Sequence, residues 1–106
     1  MYQIVWEFIA KEGREEKFLK AYGPNGAWVK FFRSGKGFIS TKLLRDVGGK
    51  RRFLTIDVWS SKRAYAAFRT HRAKEYLLID KKCTALTESE ALIGSFIWIR
   101  PAKLVS

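Results

Sequence analysis

The sequence predicts an α+β fold in which strand, helix, strand, strand, helix and strand follow one another along 106 residues. Three observations carry that reading. Tyr2 to Ala10 alternates with a period of two, setting Tyr2, Ile4, Trp6 and Phe8 against Gln3, Val5, Glu7 and Ile9. Gly48-Gly49 joins two strand-like runs as a hairpin. Phe53 to Trp59 then runs as a strand directly into a helical pattern from Ser61, and the chain is organised around that junction.

After the first strand, Lys11-Glu12-Gly13 turns the chain. Glu15 and Glu16 sit in the first turn of a helix, where carboxylates favour the macrodipole, and Phe18, Leu19 and Tyr22 form its apolar stripe. Gly23-Pro24-Asn25-Gly26 breaks that helix; a short helical piece from Ala27 to Arg33 follows, with Trp28, Phe31 and Phe32 as its buried side. The second strand is expected from Phe38 to Asp46. Setting Val47 opposite Lys50 places Phe38 against Trp59, Ser40 against Asp57, Lys42 against Thr55 and Leu44 against Phe53 on one face. Leu43–Leu54, Thr41–Ile56 and Ile39–Val58 then share the other. Asp46 faces Arg51, while Arg45 opposite Arg52 needs an anion or water between them.

Ser60 or Ser61 caps the next helix, in which Tyr65, Phe68, Arg72, Tyr76 and Ile79 recur at helical spacing. Its length, to Ala85, predicts a kink near Thr70–Arg72. Thr87-Glu88-Ser89-Glu90 reads as a capping turn, Ala91 to Ile99 as the last strand, and Arg100-Pro101 as its end. The two halves close as split right-handed crossovers, giving a ferredoxin-like βαββαβ fold: a four-stranded antiparallel sheet with helices on one face. The apolar Leu54, Ile56, Val58 side of the third strand is expected to carry the helices. The Phe53, Thr55, Asp57, Trp59 side, mixing aromatics with a hydroxyl and a carboxylate, is where function is expected, and a ligand or a second copy of the chain must cover it.

Composition fits one domain over residues 1–106, long enough to bury roughly 65% of its unfolded surface. A hydrophobic content of 47% with 15% aromatic residues excludes a disordered chain. The longest apolar run, Met1 to Ala10, is interrupted by Gln3 and Glu7, so neither a transmembrane helix nor a secretory leader is expected. One cysteine, Cys83, gives no internal disulfide, reads as a packed thiol, and fits a cytoplasmic protein. One His and one Cys make no usual zinc site, so no metal is expected. The net charge of +11 is spread from Lys11 to Lys103, with a dense patch at Lys50-Arg51-Arg52; a solvated basic exterior is the simplest account.

The third strand and its helix, Thr55-Ile56-Asp57-Val58-Trp59-Ser60-Ser61 with Ala64-Tyr65 and Phe68, resemble the antibiotic biosynthesis monooxygenase domain. Ala21-Tyr22-Gly23-Pro24-Asn25-Gly26-Ala27-Trp28, and Leu86-Thr87-Glu88 with Ile93-Gly94-Ser95-Phe96, resemble a bacterial subgroup of the same superfamily. The resemblance covers nearly the whole chain. It implies a homodimer formed through the sheet face, a dimeric α/β barrel, and for some members oxygenation of aromatic polyketides without a cofactor. Haem-degrading members use an Asn on the first strand and a Trp and His on the helix after the third. Here the first strand has Trp6 and Glu7, and Phe68 stands where that Trp would be, so the resemblance disfavours haem degradation. Trp59 and Tyr65 loosely match the Trp and Tyr that hold a phenolic substrate in the cofactor-free oxygenases.

Read from the residues, the sheet face is expected to gather Glu7, Ser40, Lys42, Thr55, Asp57 and Trp59. Oxygenation without a cofactor needs a phenol or enol made electron-rich by proton removal, able then to pass an electron to dioxygen. Asp57 is the candidate base, Lys42 the group that stabilises the oxyanion, and Trp59 the ring that stacks on the substrate. Trp6 and Tyr65 are added as substrate-binding residues and His71 as a proton shuttle. Against this, Lys42 and Asp57 could form a structural ion pair, and His71 could be satisfied by Glu75. A non-catalytic dimeric ligand-binding protein is a second reading. Nucleic-acid binding is a third and is disfavoured: Lys36-Gly37-Phe38 resembles the start of the RNA-recognition signature, but Ile39-Ser40-Thr41 does not continue it.

Overall fold

The computed structural model describes residues 1–99 of the chain. Strands β1 (Tyr2–Ala10), β2 (Phe38–Arg45), β3 (Arg52–Trp59) and β4 (Thr87–Ile97) form one antiparallel sheet in the order β2-β3-β1-β4. Helices α1 (Glu15–Tyr22) and α2 (Ala27–Arg33) link β1 to β2; α3 (Lys62–His71) and α4 (Ala73–Cys83), with a 3₁₀ turn at Thr84–Leu86, link β3 to β4. This is the predicted α+β, ferredoxin-like arrangement. The expected kink falls at Arg72, whose backbone N–H still bonds to Phe68 O while α4 starts one residue on.

The helices cover the opposite face from the one expected. Phe53, Thr55, Asp57 and Trp59 are all buried, while Leu54, Ile56 and Val58 are only half-buried. Aromatic volume decides this. Phe53 packs tilted against Phe18 of α1, and Trp59 lies among Phe32 of α2, Phe38, Tyr65 and Phe68 of α3. Those rings fill the space between two layers, which an aliphatic row alone would leave void. From β1, Tyr2, Ile4 and Phe8 join the same core. The outer face carries Val5, Ile9, Leu44, Leu54, Ile56, Val58 and Phe96, and no part of the described chain lies over it.

The hairpin register is also corrected. Phe38 pairs with Trp59 as predicted, but a bulge follows, and Ser40 pairs with Val58, Thr41 with Asp57, Lys42 with Ile56 and Leu43 with Thr55. One extra residue in β2 turns every later side chain to the other face. The turn is the cause at the far end. Asp46 Oδ1 accepts from Gly48 N at 2.7 Å, and the connection runs on through Gly49, Lys50 and Arg51, all with positive φ. An aspartate turn thus displaces the two-glycine turn. Arg52 binds Asp46 and Glu7, Arg51 binds Glu88, and Arg45 lies over the Phe53 ring, so the expected Arg45–Arg52 opposition does not arise.

β4 starts four residues before the predicted Ala91, with Thr87 paired to Ala10 where a capping turn was expected. The predicted end of the strand at Arg100-Pro101 lies outside the described residues.

Candidate active site

Odd-numbered residues of β3 point under the helices, which puts Asp57 near the middle of the sheet and 7% exposed. Beside it, Thr41 Oγ1 donates to Asp57 Oδ1 at 2.8 Å. These two residues help to line a cleft between sheet and helices. Its floor is Trp6, Phe8, Thr41, Thr55 and Asp57; over it lie Tyr22 of α1, Trp28 and Phe32 of α2, and Tyr76 and Asp80 of α4, with Glu90 of β4 at one end. The free volume is about 40 Å³, room for a few waters. An aromatic ligand therefore enters only if a side chain such as Tyr76 or Trp28, packed edge-to-face with centroids 5.0 Å apart, swings aside.

Electrostatics in the cleft follow from burial. Asp57 has no cationic partner among the described residues, and burial pushes its carboxyl up to about 6, against the opposing bond from Thr41. Burial also raises the Tyr76 phenol to about 12. Glu90 is solvent-exposed, and partial burial of its carboxyl, then the Asp80 charge, raises it. The indole Nε1 of Trp28 is buried at the cleft wall beside the Tyr22 hydroxyl and the Cys83 thiol, and among the described residues it makes no well-formed hydrogen bond. A buried carboxylate poised near neutrality inside an aromatic cleft is the arrangement expected of a general base.

The residues singled out from sequence divide into three groups. Asp57, Thr55 and Trp6 line the cleft together. Glu7, Ser40 and Lys42 sit on the outer face: Lys42 is exposed opposite Ile56, and Glu7 is held by Arg52 Nε at 2.7 Å. The expected Lys42–Asp57 ion pair is therefore not formed, and Thr41 takes that place. Trp59 is completely buried in the core and does not line the cleft; Tyr65, beside it, accepts from Arg69 at 2.7 Å. His71 lies elsewhere, in an open groove of about 460 Å³ shared with Lys36, Arg63 and Arg72, and Glu75 pairs with Arg72 rather than with His71.

Sequence reading missed Thr41, hidden by the bulge, and the helical lining. Trp28 and Phe32, and likewise Tyr76 and Asp80, are four apart on their helices and so share a face. That spacing was the available signal.

The sequence profile of the antibiotic biosynthesis monooxygenase family matches residues 1–75. The chain belongs to that family. Solved structures agree in fold. The cofactor-independent oxygenase SnoaB of Streptomyces nogalater superposes with a TM-score of 0.70 at 18% identity, over 95% of each chain. A candidate antibiotic biosynthesis monooxygenase of Deinococcus radiodurans gives 0.75 at 12% identity over 100% of each chain. An uncharacterised NIPSNAP domain protein of Burkholderia xenovorans gives 0.67 at 15% identity, over 100% of this chain and 99% of its own. No curated protein matches the chain.

Proposed function

We propose that the protein is a cofactor-independent monooxygenase of a small planar phenol or quinol bound in the cleft between sheet and helices. The observation that carries this reading is Asp57: a buried carboxylate near pKa 6 on the wall of an aromatic cleft. Asp57 takes the phenolic proton; the phenolate passes one electron to dioxygen, and the radical pair combines at an ortho or para ring carbon that carries hydrogen. Loss of water from the resulting hydroperoxide leaves a quinone, so phenol and O₂ give quinone and water with no external reductant. Moving a proton from a phenol of pKa about 10 to a carboxyl of about 6 costs roughly 5–6 kcal/mol. Hydroxyls acidified by a conjugated carbonyl suit the site better.

The functional unit in this proposal is a homodimer. The outer sheet face carries Val5, Ile9, Leu54, Ile56, Val58 and Phe96 beside Glu7, Ser40 and Lys42, and a second copy would cover its apolar part with a matching surface. Among the described residues no helix is long and apolar enough to cross a membrane, and we place the protein, a single domain, in the cytoplasm.

Oxygen uptake with hydroquinones and naphthols tests the reading. Consumption above autoxidation, falling about 100-fold or more in Asp57→Asn, is the expected result. Saturable binding without oxygen uptake would instead establish the second reading, a ligand-binding protein without turnover.

A further inference from the structure

The basic residues run the length of the chain, but the acidic ones do not. All 10 Asp and Glu residues lie outside two segments, 17–45 and 58–74, which together hold more than half of the Lys and Arg. The two segments meet where the loop between α2 and β2 lies along α3, and an open groove of about 460 Å³ runs there. Lys36 enters it from the loop, Arg63 and His71 from α3, and Arg72 from the end of that helix; no carboxylate lines it. The groove shares no residue with the cleft at Asp57.

Local sequence builds this groove. Arg63, Ala67 and His71 are four apart on α3, as are Ala64 and Phe68, so two adjoining rows of the helix face it, and the alanines leave it open. The loop runs antiparallel to them. Arg72 Nη1 donates to Ser34 Oγ at 2.9 Å, and a Cβ on Gly35 would stand 2.5 Å from the Phe68 ring. Gly37, with φ of +95°, would place a Cβ 2.7 Å from Ala64 Cβ and Ser60 Oγ, so only glycine lets the loop come this close. Lys36 is thereby held over the first half of α3. Arg72 is a fixed wall: Nε donates to Glu75 at 2.7 Å, and its guanidinium carbon lies 5.3 Å from the Phe31 centroid and 5.9 Å from that of Phe68. Lys36 and Arg63 are exposed and form no ion pair among the described residues. Like charges set on both walls of one groove repel, and an anion between them turns that repulsion into attraction.

We infer that this groove binds the diphosphate group of a small organic molecule. Length selects a diphosphate over a single phosphate. Arg63 and His71 lie eight residues apart on α3, a rise of about 12 Å. One phosphate meets one end of that row; two linked phosphoryl groups reach along it. Arg63 and Lys36, on opposite walls, take the first through charge-assisted bonds, with the Ser60 hydroxyl beside them. An N–H of His71 and the Arg72 charge meet the second. The organic part extends along the open side into solvent and adds little affinity. This site stands or falls independently of the reaction proposed for the cleft.

Titration calorimetry of the full chain with ADP, inorganic pyrophosphate and AMP, at pH 7.5 and roughly physiological salt, tests the inference. ADP and pyrophosphate should each bind once per chain with affinities within about threefold of one another, and at least tenfold more tightly than AMP. Lys36→Ala/Arg63→Ala, with an unchanged circular dichroism spectrum, should weaken ADP at least tenfold. Lys81→Ala/Lys82→Ala removes the same charge from exposed positions of α4 outside the groove and should change it less than twofold. His71→Ala alone should bring the ADP-to-AMP ratio below threefold. Absence of saturable binding, AMP binding as tightly as ADP, or pyrophosphate binding more than tenfold tighter than ADP overturns the inference. So does an equal loss in the two double variants, which would assign the binding to the basic exterior as a whole.

Discussion

Thr41 Oγ1 donates to Asp57 Oδ1 at 2.8 Å across the β2–β3 pair, and this bond restrains a carboxyl that burial alone would push further up. The bulge after Phe38 creates the contact by bringing Thr41, rather than Ser40, opposite Asp57. Thr41→Val keeps the shape and removes the donor, so the Asp57 pKa should rise above its value of about 6. In the proposed reaction Asp57 must be ionised, so the acidic limb of the kcat/KM profile should move to higher pH in this variant. A carboxyl titration followed by NMR measures the shift directly. An unmoved titration would mean that the bond is not made in solution.

Stability carries the same signature with a definite sign. Asp57 titrates near 6 in the fold against an ordinary 3.8, so the fold prefers the neutral acid. Its favourable contribution is fully present below about pH 3.8 and is lost as pH rises through about 6. A gap of about two units is worth roughly 3 kcal/mol. Asp57→Asn keeps an acceptor for Thr41 and carries no charge. It should exceed the parent protein by about 1–3 kcal/mol at pH 8 and match it near pH 4. Urea unfolding at the two pH values decides it: an equal difference at both would assign the effect to packing.

Much of the fold was legible because local signals agreed with one another. The alternation from Tyr2 to Ala10, the Gly23–Gly26 break and the Ser61 cap each mark an observed boundary. The facing of the sheet was not legible. An apolar row and an aromatic-polar row both suit burial, and the choice depended on which matched the Phe18, Phe32 and Phe68 rings brought by three different helices. Asp57 could be found from sequence as a carboxylate among aromatics. Its partner could not, because a one-residue bulge has no signature in Ile39-Ser40-Thr41.

Ligand quenching should come from Trp28 and Trp6, which line the cleft, and not from Trp59, which is fully buried in the core. Trp28→Phe should therefore lose most of the ligand-induced change, with affinity weakened several-fold through the lost wall. Trp59→Phe should retain both signal and affinity while losing stability, since a completely buried indole is replaced by a smaller ring; ~1–3 kcal/mol is expected from the cavity left. Quenching that vanishes in Trp59→Phe and persists in Trp28→Phe would place the ligand elsewhere.

The outer face gives a prediction about assembly. Four strands at about 4.8 Å and eight residues at about 3.3 Å make a sheet roughly 19 by 26 Å, or about 500 Å² of plane on each copy. Two such faces meet the lower bound for a specific interface, about 1,000 Å², before side-chain relief is counted. Ile56 sits on the central strand pair of that face, half-buried in the isolated chain, and pairs with both Val5 and Lys42. Ile56→Asp places a charge where a second copy would exclude water, yet in a single chain it can still reach solvent. Sedimentation velocity should therefore show a dimer for the parent protein and a folded monomer for the variant. A parent protein that sediments as a monomer at tens of micromolar would remove the homodimer from the proposal and leave the apolar face to another partner.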